Sequence, residues 1–196
     1  MVIDRIAVIV GKAVIKTSDI DRDLRLTEFL NRQPVNLDAQ ARKQAAERLI
    51  DQQVIRKELA TGGYSRATDA DANALLASIE HDRFGAAEAR LDAALERYGL
   101  TEDELRRELL WQLTVLRFIQ ERFQPGVVVT DQEVRAYYDQ HLADLQRANP
   151  HNSTFAALEP KIHDLLTGEA VNKDFDAWLT RARQDTHIEY RQGAFQ

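Results

Sequence analysis

A short strand-like segment near the end of the chain, in a sequence that otherwise favours helices, most constrains the fold. In residues 186–191, Ile188 and Tyr190 alternate with polar residues, which is the period of a β-strand. A strand needs a partner because its backbone N–H and C=O groups must be hydrogen-bonded. The other strand-like region is the Val- and Ile-rich start, where a glycine separates residues 3–10 from residues 13–16. We therefore predict a small antiparallel sheet that joins an N-terminal hairpin to a C-terminal strand.

The residues between these strands predict a mainly α-helical fold with several helices. Good helix formers dominate, and with 8 Gly and 4 Pro few residues interrupt a helix. Helices are predicted to begin near Ser18, Leu37, Thr68, Ala86, Thr101, Thr130 and Leu158. Ser18 is the predicted N-cap of the first helix. Thr101 is followed by Glu104 at the spacing of a capping box, and Thr130 and Glu133 repeat that spacing.

We interpret residues 1–196 as a single domain made of three parts. Residues 1–140 form its N-terminal part. Residues 141–154 are polar and are interpreted as a linker. Residues 155–196 supply a last helix, expected over about residues 158–182, and the strand that completes the domain.

The composition argues against several classes of function. A formal net charge of −6 disfavours nucleic acid as a partner, because phosphate binding needs a basic surface. The chain has no cysteine, which excludes disulfides and thiolate metal sites, and its histidines show no metal-ligand spacing. No apolar run approaches the ~20 residues of a membrane span, and no phosphate-binding loop or catalytic constellation is present. We therefore predict no metal, no cofactor, no membrane insertion and no enzymatic activity.

The helix predicted after Thr101 has more apolar surface than one packed face requires. One row comprises Leu105, Leu109, Leu113, Leu116, Ile119 and Phe123, and a second row, at least ~120° away, comprises Trp111, Val115 and Phe118. Either the helix is central and packed on both sides, or the second row lines an apolar groove for a partner. Phe84, Tyr98 and Tyr138 are further aromatic candidates for this partner-binding surface, and equally for the core.

Several segments, in this order, resemble the SurA-like family of periplasmic chaperones. The start, VIDRIAVIVGKAVIKTSDID, resembles the hairpin and first helix of the family, and AAERLIDQQVIRKELATGG resembles its second helix. The segment RYGLTEDELRRELLWQLTVLRFIQERF resembles the turn and long helix that come next in the family. The segment VVVTDQEVRAYYDQH is similar to the part of the family that leads from the chaperone domain to the isomerase domain. The segment LEPKIHDLLTGEAVNKDFDAWLTRARQDTHIEY is similar to the C-terminal helix and strand with which the family completes its chaperone domain. The specificity lies in the order of the segments, which cover nearly the whole chain.

This resemblance implies an ATP-independent periplasmic chaperone whose signal peptide has been removed. Its partners would be unfolded or partly folded polypeptides, such as exported or outer-membrane proteins. In full-length relatives one or two parvulin-type isomerase domains, of roughly a hundred residues each, lie between the sixth helix and the last, and residues 141–154 are too short to contain one. The resemblance therefore implies a chaperone module without isomerase activity.

Two alternatives to a monomeric chaperone stay open at this point. The chain is also compatible with a non-catalytic structural adaptor or dimerisation module that binds one specific folded partner. Because the first and last strands meet through a long intervening segment, a homodimer formed by strand or helix exchange is as compatible with the sequence as a monomer.

Overall fold

The computed structural model describes residues 4–85, 88–148, 152–193 and 195. Two strands come first, β1 (Ile6–Val10) and β2 (Ala13–Lys16). The helices that follow are α1 (Thr17–Asn31), α2 (Ala39–Thr61), α3 (Asp69–Phe84), α4 (Glu88–Tyr98) and α5 (Glu102–Phe123). After a 3₁₀ turn at Gln124–Gly126 come α6 (Asp131–Gln140), α7 (Leu142–Ala148), α8 (Phe155–Gln184) and the strand β3 (Ile188–Tyr190). The predicted fold class, mainly helical with a small antiparallel sheet, is confirmed.

The chain packs as two compact units. The first unit comprises Met1–Phe118 and Leu179–Gln196, and it contains the sheet and the helices α1 to α4. The second unit comprises Ile119–Trp178 and contains α6 and α7. The long helices α5 and α8 each contribute residues to both units.

The sheet joins the two ends of the chain. Its strand order is β2-β1-β3, with both pairings antiparallel, so β1 lies in the centre. Val10 lies opposite Ile188, and just beyond the strands the N–H of Gly11 donates to the carbonyl of His187 at 2.8 Å. The predicted pairing of the N-terminal hairpin with the C-terminal strand is therefore confirmed. The predicted hairpin start at Ile3 lies outside the described residues.

One core of the first unit lies between the sheet and the helices α1 and α2. Its buried members lie on β1 and β2 and recur at helical spacing in α1 and α2: Ala7, Val8, Val10, Ile15, Ile20, Leu24, Ala45, Ala46 and Ile50. Ala45 and Ala46 are fully buried, and their small side chains let α2 approach its neighbours closely. Ile188 of β3 packs at the edge of this core, so the C-terminal strand buries apolar surface as well as hydrogen-bonding.

A cluster of polar groups ties the end of the chain to α2. The guanidinium of Arg183 donates to Asp51 and to Glu47, at 2.6 Å in each case. The hydroxyl of Tyr190 donates to the other oxygen of Glu47 at 2.7 Å. We call these four residues the C-terminal clasp, because they hold the last turn of α8 and the strand β3 against α2.

The start of α1 differs from the prediction. The helix begins at Thr17, and the carboxylate of Asp19 accepts a hydrogen bond from the N–H of Lys16 at 2.9 Å. The hydroxyl of Ser18 instead donates to the carboxylate of Asp4 at 2.7 Å. The prediction that Ser18 is the N-cap is therefore wrong: its hydroxyl bonds a residue that precedes β1.

Other helix boundaries agree with the sequence in part. Thr101 and Thr130 form the predicted capping boxes at the starts of α5 and α6. The helix α7 forms within residues 141–154, which were predicted to be a linker. The helix α8 begins earlier than predicted, so Pro160 lies beyond its first turn and cannot donate a helical hydrogen bond there. The predicted start of the fourth helix at Ala86 lies outside the described residues.

Candidate functional site

The helix α5 changes its buried face partway along its length. Leu105 and Leu109 are 0% and 1% exposed and pack in a core with residues of α1, α3 and α4. Thr114 and Phe118 are also buried, but at 100° per residue they project from nearly the opposite side of the helix. Leu116, on the side of Leu105, is 51% exposed. Neither predicted apolar row is therefore buried or exposed along its whole length.

The structure places Phe118 in the core. Its side chain is fully buried, and its ring meets that of Tyr64 edge to face with the centroids 4.9 Å apart. Val115, another member of the second predicted row, is half-buried. Phe118 thus has no accessible surface for a partner, and the core interpretation of this row applies at its C-terminal end.

Trp111 is half-buried where two cavities meet between α2 and α5. The first cavity, of about 510 Å³, extends toward α1 and β2. The second, of about 460 Å³, extends toward the segment that follows α2. Arg56 and Arg107 line both cavities together with Trp111. We call these two adjacent cavities, which share three lining residues, the Trp111 groove.

Arg56 fixes one face of the Trp111 ring. Its guanidinium carbon lies 3.7 Å from the ring centroid, a cation–π contact between α2 and α5. Burial lowers the pKa of Arg56, and the nearby carboxylate of Glu108 opposes that shift. The contact orients the indole while leaving part of it open to the groove.

Charged side chains line the first cavity beside its apolar ones. The carboxylate of Asp23 is 9% exposed and accepts from Arg48 at 2.6 Å. Burial raises the pKa of Asp23 in spite of Arg48. Burial also raises the pKa of Glu108, whose carboxylate accepts from Gln112 at 2.8 Å. Ionisable groups with shifted pKa values in a cleft are a feature of functional sites as well as of structural ion pairs.

Phe84 and Tyr98 lie in a different cavity of the first unit, of about 330 Å³. The ring of Tyr98 meets Phe29 edge to face at 5.5 Å, and its hydroxyl donates to the carbonyl of Gln33 at 2.9 Å. Both residues are half-buried against the core that contains Leu105. The structure therefore does not place them in the Trp111 groove.

Tyr138 belongs to the second unit. Its ring packs edge to face on Phe155 at 5.3 Å, and its hydroxyl donates to the carbonyl of Ser153 at 2.7 Å. These contacts join α6 to the start of α8 beside a small core of Val134, Leu158 and Ile162. Of the six predicted partner-binding residues, Trp111 alone is among the described residues that line the groove. Val115 lies one turn after Trp111 on α5.

The described residues offer neither a metal centre nor a membrane span. Across the described ranges, no three His, Asp or Glu side chains are grouped so that they can hold a metal ion. None of the described helices combines the length and the apolar character that crossing a bilayer requires.

Comparison with known proteins found similarity to chaperones, although no family model matches the chain. The protein called Chaperone SurA of Pseudomonas putida is 27% identical over an alignment 199 residues long, which covers 98% of this chain and 44% of the relative. Chaperone SurA of Pseudomonas aeruginosa is 24% identical over 98% of this chain and 45% of its own length. Chaperone SurA of Chromobacterium violaceum is 29% identical over 75% of this chain and 34% of its own length.

The chain spans less than half the length of each of these curated relatives. Two of the alignments include almost every residue of the chain, from the hairpin to the C-terminal strand. The resemblance to the SurA-like chaperones is therefore confirmed over nearly the whole length of this chain.

Proposed function

We propose that this protein is an ATP-independent chaperone that holds unfolded or partly folded polypeptides in the Trp111 groove. The observation that carries the proposal is an accessible indole at the junction of two open cavities, in a chain similar along 98% of its length to proteins called Chaperone SurA. Its clients are exported polypeptides, including outer-membrane proteins.

The dimensions of the groove suit a short extended segment. Its α2 wall runs from Leu49 to Leu59, which corresponds to about 15 Å at 1.5 Å per residue. An extended chain rises about 3.3 Å per residue, so the groove accommodates about four or five residues. Its walls combine Trp111 and leucines with charged groups, which favours many weak contacts over one tight one. Weak binding of short segments is what a chaperone that must release its clients needs.

The proposal includes a location and a lack of catalysis. We propose a periplasmic location, which the resemblance to SurA-like chaperones supports, and we propose that residues 1–196 form one chaperone domain. Residues 141–154 have space for the short helix α7 and no isomerase domain, which supports a chaperone without prolyl isomerase activity. An unchanged rate of proline-limited refolding of a test protein is the expected result, and a clear acceleration would contradict this part of the proposal.

An aggregation assay with matched variants tests the proposal. The wild-type chain should reduce light scattering by a diluted, denatured barrel protein without ATP, at a near-stoichiometric ratio. Trp111→Ala should weaken this effect while changing the melting temperature little, because Trp111 is only half-buried. Leu116→Ala is the control: it removes an exposed side chain from another face of α5 and should leave the effect intact.

Phe118→Ala provides the contrast in stability. It empties a fully buried site and should lower the free energy of unfolding by about 3–5 kcal/mol. A fall of similar size in Trp111→Ala would show that Trp111 is a core residue. Undiminished scattering with an excess of the wild-type chain would favour an adaptor that binds one folded partner.

The oligomeric state is a separate prediction. The antiparallel pairing of β1 with β3 can be made within one chain or by exchange of β3 between two chains. Sedimentation equilibrium distinguishes the monomer from a strand-exchanged homodimer.

A further inference from the structure

Charge is distributed unevenly along the Trp111 groove. The second cavity is lined by Arg56, Arg66 and Arg107, and no acidic side chain occurs among the described residues that line it. Leu59 and Leu110 supply apolar surface beside these arginines. This cationic cavity belongs to a chain whose formal net charge is −6.

The acidic groups of the groove lie in the first cavity, and several are already paired. The guanidinium of Arg22 lies 2.9 Å from Glu104 and 3.4 Å from Asp19. The carboxylate of Asp23 is held by Arg48. These pairings neutralise much of the negative charge within the protein itself.

The arginines of the second cavity lack such carboxylate partners. Within the described part of the chain, neither Arg66 nor Arg107 forms an ion pair, and Arg66 donates only to the carbonyl of Leu59 at 3.4 Å. Arg56 lies on the Trp111 ring, with Glu108 as a nearby opposing charge. Positive charge in the second cavity is therefore available to a bound anion.

We infer that the groove selects extended segments in which a large apolar residue is followed or preceded, two positions away, by Asp or Glu. This inference rests on the proposed chaperone function and names the class of segment that the groove prefers. The apolar side chain packs on Trp111, and the carboxylate enters the second cavity among Arg56, Arg66 and Arg107.

The spacing of the groove residues supports this register. Arg107 and Trp111 are one helical turn apart, about 6 Å along α5. In an extended segment, side chains two positions apart project to the same side and are about 7 Å apart. One apolar and one acidic side chain at this spacing can therefore reach the indole and the arginines together.

A basic residue at the same position is disfavoured. Its ammonium would lie among three guanidinium groups in a partly enclosed cavity, where like charges repel more strongly than in bulk water. A neutral residue gains no ion pair and suffers no repulsion. The expected order of affinity is acidic, then neutral, then basic.

Fluorescence titration with three synthetic peptides tests this order. Each peptide carries one Phe and, two positions later, Glu, Gln or Lys in an otherwise identical short uncharged sequence. In a Trp178→Phe background, Trp111 is the only tryptophan and reports binding. The Glu peptide should bind about fivefold more tightly than the Gln peptide, and the Lys peptide more weakly than either. The difference should shrink in about 1 M salt, where the Debye length is about 3 Å.

Two matched variants assign the preference to the cavity. Arg107→Gln should reduce the preference for Glu over Gln to about twofold or less. Arg97→Gln removes the same charge from the cavity that contains Tyr98 and should leave the preference unchanged. If both variants lose the preference for the Glu peptide equally, only the net charge of the protein matters, and the inference is overturned.

The outcomes separate this inference from the proposed function. If the three peptides bind equally, the charge preference is wrong while the groove still binds polypeptide. If none of them binds, including the Gln peptide, the proposed function fails at this site and the inference fails with it.

Discussion

The helix α2 carries two charged regions that differ in how completely their charges are paired. In the C-terminal clasp, Arg183 donates to both Glu47 and Asp51, and Tyr190 donates to Glu47. About two turns further along α2, Arg56 lies over the face of Trp111 and forms no ion pair with the described residues. The clasp uses its charges to fix the fold, whereas the groove leaves positive charge available to a ligand.

The pKa shifts reflect this difference at Glu47 but not at Asp51. Burial tends to raise the pKa of Glu47, but the hydrogen bonds from Arg183 and Tyr190 outweigh it and leave this pKa below its ordinary value. Burial dominates for Asp51, whose pKa is raised even beside Arg183. Burial also dominates for Arg56, whose pKa is lowered because Glu108 compensates only in part. Pairing is therefore strongest at Glu47, where two donors converge on one carboxylate.

Of the changes that test the clasp, removal of residues 186–196 should have the largest effect on the free energy of unfolding. It eliminates β3, the packing of Ile188 and the Tyr190 part of the clasp, and should lower the free energy of unfolding by about 5 kcal/mol. Chemical denaturation measures the loss. A second truncation after Arg191 keeps β3 and should cost clearly less. Equal stability of the full chain and of the chain that lacks residues 186–196 would show that the two ends do not stabilise each other.

Arg183→Ala should have an intermediate effect. It leaves Glu47 and Asp51 without their shared cation and should cost about 2 kcal/mol, because the three side chains are partly exposed to water. Arg107→Ala is the matched change in the groove and should cost less than about 0.5 kcal/mol. Similar losses from the two substitutions, measured by thermal unfolding, would remove the distinction between clasp and groove.

Tyr190→Phe should have the smallest effect on the free energy of unfolding, and this effect should disappear in strongly alkaline solution. Burial and then the carboxylate of Glu47 raise the pKa of Tyr190 to about 12. A group whose pKa is raised by folding contributes stability that is complete below its unfolded pKa, about 10, and is lost as the pH rises through its folded value. Because Tyr190 is 45% exposed, we expect the substitution to lower the free energy of unfolding by less than about 1 kcal/mol.

The measurement is the difference in unfolding free energy between the wild type and Tyr190→Phe at several pH values from 8 to 12. The wild-type advantage should be constant up to about pH 10 and then decline. The other tyrosines titrate in both proteins and cancel. An advantage that stays constant to pH 12 would show that the Tyr190 hydroxyl gains nothing from Glu47.

The sequence predicts the features of this fold that depend on local pattern. The alternation at Ile188 and Tyr190, together with the Val-rich start, is sufficient to predict a sheet that pairs the two ends of the chain. Thr101 and Thr130 cap their helices because a capping box is a local interaction. Ser18 does not cap α1, because the helix already begins at Thr17, and its hydroxyl donates to Asp4, a distant partner that no local rule identifies.

The site is less predictable because it depends on residues far apart in the chain. The apolar pattern of α5 identifies Trp111 but treats Phe118 as equivalent, although one borders a groove and the other is buried. The difference arises from Tyr64, which covers Phe118, and from Arg56, which covers one face of Trp111. No spacing in the sequence links these residues to α5.

The central position of β1 in the sheet has a consequence for the order of events during synthesis. Because β1 is made early and β3 near the end, a ribosome that adds about 5–20 residues per second leaves β1 without its second partner for on the order of ten to forty seconds. During that interval one edge of β1 presents unpaired N–H and C=O groups next to Val and Ile side chains, which is the surface that promotes aggregation. Until β3 emerges, the chain itself resembles the incomplete polypeptides that we propose it protects.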